Sequence, residues 1–100
     1  MSVFVNLTVQ ADPEKAERVM QANEQRLQKI NERARGLGCI HHRFVGGDGM
    51  MMVMDEWNSA DSFYKFFESD TDIPVLMKEA GVSSAPDIKI WNKMDSRDEF

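Results

Sequence analysis

The sequence predicts a single α+β domain of ferredoxin-like layout, β-α-β-β-α-β, built on a four-stranded antiparallel sheet. Three observations carry this expectation. Residues 2–10 alternate with period two, as a strand does. Residues 12–34 repeat apolar side chains at three- and four-residue spacing, as an amphipathic helix does. A glycine-rich turn at 46–49 then joins two further strand-like runs, which places a hairpin between two helical segments. A chain of 100 residues has room for one core and no second lobe.

In the first strand Val3, Val5, Leu7 and Val9 share one face, and Phe4, Asn6 and Thr8 share the other. Asp12-Pro13-Glu14 starts a helix: an Asp cap, Pro at the first helical position, then an acid near the positive end of the dipole. Ala16, Val19, Met20, Leu27, Ile30 and Ala34 make its apolar stripe, interrupted by Asn23. Gly36 and Gly38 stop what reads as one helix on the order of 33 Å long. Cys39 to Val45 is the second strand, with Ile40, His42 and Phe44 on one face and Cys39, His41 and Arg43 on the other. Gly46-Gly47-Asp48-Gly49 supplies the positive φ angles of a tight hairpin, and Met50 to Trp57 returns as strand three.

Asn58-Ser59 caps the second helix, whose buried side is Ala60, Phe63, Phe66 and Phe67. Ser69-Asp70-Thr71-Asp72 interrupts it, and a shorter piece carries Ile73, Leu76, Met77 and Ala80. Asp87 to Lys93 is the last strand. The domain is expected over residues 1–94, followed by a charged tail at 95–100. Right-handed crossovers put both helical segments on one face of the sheet. If Phe4 and Asn6 meet the helices, the face of Val3, Val5, Leu7 and Val9 needs another cover. A second copy of the chain is the natural one, so a homodimer is expected.

Twelve Lys and Arg against 17 acids give a formal charge of -5, which argues against nucleic acid as a partner. No apolar run approaches the roughly 20 residues of a membrane span, so no membrane is expected either. The first residues lack the basic and apolar regions of a signal peptide, and the lone Cys39 has no disulfide partner. Both features point to the cytoplasm.

The segment DEWNSADSFYKFFESD, together with VFVNLTVQADPEKAERVM at the start, resembles the antibiotic biosynthesis monooxygenase superfamily of dimeric α/β barrels. The resemblance lies in an acid-X-Trp step at a strand end, a small polar cap and a Phe-bearing helix, and it covers nearly the whole chain. It implies two sheets packed across a dimer, with a pocket between each sheet and its own helices. Some members oxidise aromatic phenols with molecular oxygen and no cofactor, others bind or degrade heme, and many have no known activity. Asn6 and Trp57 match pocket positions of that family. There Asn6 would polarise a substrate carbonyl or bound oxygen, and Trp57 would pack the aromatic body.

His42, beside Ile40 and Phe44, is the candidate base for a phenol, against the alternative of a structural histidine. Met52, within the run Met50 to Met54, is expected to line the site with Phe44, Phe63, Phe67 and Met77. Asp55 shares the face of Trp57 and Glu56 that of Met54, and one or the other is expected as an exposed strand-end acid. Arg43 is expected to pair with an interface carboxylate, the alternative being that it holds an anionic substrate.

His41 and His42 point to opposite faces, and Cys39 with His41 would give only two ligands, so no metal site is expected. Heme-degrading relatives carry an axial His on the second helix, yet 59–80 contains none. Tyr64 and Met77 would be poor substitutes. No cofactor is expected. These readings together imply a monooxygenase-like homodimer binding a small hydrophobic or aromatic molecule. The alternatives are a non-catalytic ligand-binding dimer or, less favoured, a heme-handling protein.

Overall fold

In the computed structural model, which describes residues 2–100, the chain runs β1 (Val3–Gln10), α1 (Pro13–Ala22), α2 (Glu24–Leu37), β2 (Cys39–Gly47), β3 (Met50–Trp57), α3 (Ala60–Ser69), α4 (Asp72–Glu79) and β4 (Asp87–Asn92). The strands form one antiparallel sheet in the order β2-β3-β1-β4, the ferredoxin-like arrangement. The hairpin turn is tighter than the four residues that suggest it. Only Asp48 and Gly49 lie between the strands, both with positive φ (53° and 71°), as a two-residue turn of the right twist requires.

The start signals act as the residues dictate. The Asp12 carboxylate accepts from the Glu14 N–H at 3.1 Å, and the Ser59 hydroxyl accepts from the Ser62 N–H at 3.1 Å. Gly38 ends α2 at φ 121°, where a Cβ would also collide with the Asn58 side chain.

The single long helix expected before β2 is instead two helices. Asn23 leaves helical geometry (φ -124°, ψ 34°), and its amide donates to Val19 O at 2.8 Å and to Glu79 at 3.1 Å. A short amide that bonds nearby backbone competes with the helical ladder, and here it bends the chain around the sheet.

The strand faces are also the reverse of those expected. Val5, Leu7 and Val9 are buried and pack with Ile30, Ala34, Phe63 and Phe66, so the helices cover the valine face. Phe4, Asn6 and Thr8 lie on the open side of the sheet. The purely apolar face gains most from the helices' apolar stripes, whereas burying Asn6 there would strand an amide. The register gives two further rows on the open side: Arg43, Met54, Asn6 and Lys89, then His41, Glu56, Phe4 and Trp91. Phe4, Met54 and Trp91 are 37%, 43% and 51% exposed.

A β-bulge near Ile40 changes the parity of β2. Cys39 stands opposite Trp57, but His41 stands opposite Glu56, so Cys39 and His41 do not share a face. Cys39, His42 and Phe44 look toward the helices; His41 and Arg43 look away.

Helix α4 packs on the core through Ile73, Leu76 and Met77 and is tied at its N-terminal end by polar contacts. The Arg33 guanidinium donates to Asp70 at 2.7 and 2.9 Å and to Asp72 at 2.8 Å. Those two carboxylates hold the guanidinium in its charged form, their hydrogen bonds being the largest contribution. The other oxygen of Asp70 accepts from the N–H groups of Asp72 and Ile73, each at 2.9 Å, which caps α4 from outside its own sequence.

Candidate functional site

Across β2, β3, β1 and β4 the register aligns His42, Asp55, Val5 and Ile90 in one row on the helix-covered side. The neighbouring row is Phe44, Val53, Leu7 and Ile88. Between this side of the sheet and the helices lies an apolar cavity of about 110 Å³. Its floor includes Leu7, Met51 and Val53, and its roof includes Ile30, Phe67 and Met77.

His42 and Asp55 form the polar corner of this cavity. His42 Nδ1 lies 2.6 Å from Asp55 Oδ1, and the other carboxylate oxygen accepts from the Trp57 indole N–H at 3.0 Å. Asp55 is therefore gripped from both sides while nearly buried, its side chain 7% exposed against 30% for His42. A carboxylate that accepts a hydrogen bond from Nδ1–H leaves Nε2 as the basic nitrogen and fixes the plane of the ring. Phe44 braces that ring edge-on, with centroids 4.8 Å apart.

Cys39 belongs to the same face, where its thiol donates to the His41 carbonyl at 3.3 Å. Burial, aided by the charge of Asp55, pushes this thiol up to about 11, so it stays protonated at neutral pH. Among the described residues, no group of three His, Cys, Asp or Glu side chains is arranged to hold a metal ion.

The structure gathers His42, Phe44, Phe63, Phe67 and Met77 around the cavity. It does not bring Asn6 or Met52 there. Asn6 pairs with Met54, and Met52 with Thr8 and Val45, on the open side of the sheet. Met51 and Val53 take the place expected of Met52. Trp57 faces the helices but is completely buried, packed on Phe63 and Phe66, so it does not line the cavity itself and touches it through those two rings and through Asp55.

The expected meeting of Asn6 and Trp57 in one pocket does not occur, because the two side chains leave the sheet on opposite sides. Of the two strand-end acids, Asp55 is not the exposed one: it lies on the Trp57 face, as its spacing has it, and is the buried partner of His42 and Trp57. The i,i+2 spacing of Asp55 and Trp57 held that signal, since it puts both on one face. Asn31 also lines the cavity, and nothing in the helical pattern singled it out.

No family model and no curated protein matches the chain. Solved structures do. A monooxygenase of Streptomyces coelicolor in complex with nanaomycin D superposes with a TM-score of 0.70 at 14% identity, over 95% of this chain and 89% of that one. A dimeric ferredoxin-like protein from an uncultured marine organism gives 0.70 at 10% identity, over 99% and 93%. SnoaB, a cofactor-independent oxygenase from Streptomyces nogalater, gives 0.60 at 14% identity, over 98% and 97%. Others of similar likeness are assigned to the antibiotic biosynthesis monooxygenases. At these identities the likeness speaks for architecture, and the chain has the ferredoxin-like fold of the antibiotic biosynthesis monooxygenases over nearly its whole length.

Proposed function

We propose that this protein is a monooxygenase-like homodimer that binds a small aromatic molecule between sheet and helices and oxygenates an electron-rich phenol without a cofactor. The observation that carries this reading is the Asp55-held imidazole of His42 on the wall of an otherwise apolar cavity. A base set in apolar surroundings suits the deprotonation of a phenol whose ring is buried beside it.

The chemistry balances with dioxygen as the only co-reactant. His42 Nε2 takes the phenolic proton, and the phenolate passes one electron to dioxygen. The resulting radical pair combines at the ring carbon para to the oxygen, forming a C–O bond to a peroxide. Transfer of the proton on that carbon to the terminal peroxide oxygen, with cleavage of the O–O bond, leaves a quinone and hydroxide. The departing hydroxide takes the proton from His42 and becomes water. Phenol plus dioxygen thus becomes quinone plus water. The protein contributes orientation and exclusion of water. Trp57, through its hydrogen bond to Asp55, is a positioning residue in this scheme.

The dimer half of the reading is supported by the exposed Phe4, Met54 and Trp91 on the uncovered face of the sheet, and by the dimeric state of one structural neighbour. A second copy laid on that face would complete a two-sheet barrel.

Oxygen uptake tests the reaction. With an electron-rich phenol whose para position carries hydrogen, such as 2,6-dimethoxyphenol, wild-type protein should consume oxygen in proportion to its concentration and form the quinone, and His42→Ala should lose at least nine-tenths of that rate. Equal rates for both would remove the oxygenase reading. Saturable binding of the phenol with no uptake would leave a ligand-binding dimer.

A further inference from the structure

Three polar residues line the cavity: Asn31, His42 and Asp55. Both oxygens of Asp55 are already engaged, one by His42 and one by Trp57. Among the described residues the Asn31 side chain makes no hydrogen bond, and His42 bonds within the protein only through Nδ1. The amide of Asn31 and the Nε2 of His42 are therefore the hydrogen-bonding groups that the cavity can offer a ligand.

Their positions differ in an informative way. Asn31 lies on α2, in the apolar stretch that includes Leu27, Ile30 and Ala34, and it also borders a shallow groove outside that helix with Leu27 and Arg35. It thus stands at the edge of α2, where the roof of the cavity meets solvent. His42 and Phe44, both partly exposed, line the same cavity from the edge strand β2. At this partly exposed edge an Asn is a weaker helix former than Leu but stays partly hydrated, and it leaves an amide at the margin of the cavity.

We propose that the gap between α2 and β2 is the mouth of the site, that Asn31 is the second polar contact to the ligand's hydroxyl oxygen, and that the occupant is a one-ring phenol. In this arrangement the Asn31 N–H donates to the oxygen whose proton His42 accepts. The amide stabilises the oxygen as it becomes an anion. The limit of one ring follows from volume. An apolar cavity of about 150 Å³ admits benzene, so one of about 110 Å³ takes a single phenol ring only with part of it in the open mouth or with Phe67 or Met77 shifted, and a second fused ring demands still more movement. This inference rests on His42 acting as the base, and its test separates the two.

The probes are 4-nitrophenol, whose visible band reports loss of its proton, 4-nitrotoluene, which has the same ring without the hydroxyl, and 2-naphthol. Wild type should bind 4-nitrophenol saturably with growth of the phenolate band. Asn31→Leu and Asn31→Ala should bind it at least tenfold more weakly, while 4-nitrotoluene binds them as it binds wild type. 2-Naphthol should bind wild type at least tenfold more weakly than 4-nitrophenol.

Unchanged 4-nitrophenol affinity in both Asn31 variants, with native thermal melts, would overturn the role of Asn31. Equal affinity for 2-naphthol would overturn the one-ring limit. A phenolate band that survives in His42→Ala would instead overturn the base, whatever Asn31 does. No binding of any probe by wild type would overturn both.

Discussion

His42 and Asp55 face each other across the β2–β3 ladder, and their side chains meet at 2.6 Å on the side of the sheet that carries the cavity. The contact couples three residues, because the second oxygen of Asp55 is held by Trp57. Substituting Asp55→Asn should keep the shape and spoil the proton logic. The Asn carbonyl can still accept from Trp57, but its NH₂ then donates to Nδ1 and leaves the proton on Nε2. Oxygen uptake should fall about a hundredfold to ten-thousandfold, with 4-nitrotoluene binding unchanged. A loss under threefold would show that the ring's tautomer does not matter.

Asp70 joins α2, α3 and α4 through four hydrogen bonds, and its side chain is only 1% exposed. Asp70→Ala removes both the cap of α4 and the partner of Arg33, and should cost about 2–4 kcal/mol in urea unfolding. Asp70→Asn keeps an acceptor for the two backbone N–H groups and should cost about half as much. If the two variants unfold together, the ionic contact rather than the cap sets the stability of this corner.

Cys39 makes stability depend on alkaline pH. Its thiol ionises at about 11 in the folded chain against an ordinary 9.0, so the unfolded chain loses this proton first. The contribution of Cys39 to stability is complete below pH 9 and is lost as pH rises to about 11. Chemical denaturation across that range should show a decline that Cys39→Ala lessens. Reaction with an aromatic disulfide reagent at pH 8 should be slow in native protein and fast in urea. Fast labelling of the native protein would contradict the placement of Cys39.

The uncovered sheet face predicts an assembly. Light scattering at micromolar concentration should give wild type twice the 11.5 kDa mass of one chain. Met54→Lys with Trp91→Arg should give the single-chain mass, since two desolvated cations on one face oppose burial. A wild-type monomer would remove the dimer.

Much of the architecture could be read before any coordinates. The cap at Asp12, the turn at Asp48-Gly49, the alternation of β1 and the Phe-bearing face of α3 are local patterns, and each settles where it points. Within the site, His42, Phe44, Phe63, Phe67 and Met77 do converge on one cavity. Asn6 and Met52 do not, and Asp55 and Asn31 join them unannounced. The misplacements share one origin: neighbours along a strand are known from the sequence, but which side of the strand meets the helices is not.

The sequence by itself determined the broad order of strands and helical segments, the starts at Asp12 and Ser59 and the resemblance to the antibiotic biosynthesis monooxygenases, because those depend on spacing and on contacts between near neighbours; the break at Asn23 it did not. Tertiary structure alone decided the faces. Alternation with period two is symmetric between the two sides of a sheet, and only packing breaks the tie, by burying Val5, Leu7 and Val9 and leaving Asn6 outside. The bulge at Ile40 then shifted β2 by one residue, carrying Cys39 to the side of His42. Cross-strand register finally brought Asp55 against that histidine, a meeting between residues 13 apart that no spacing along the chain records.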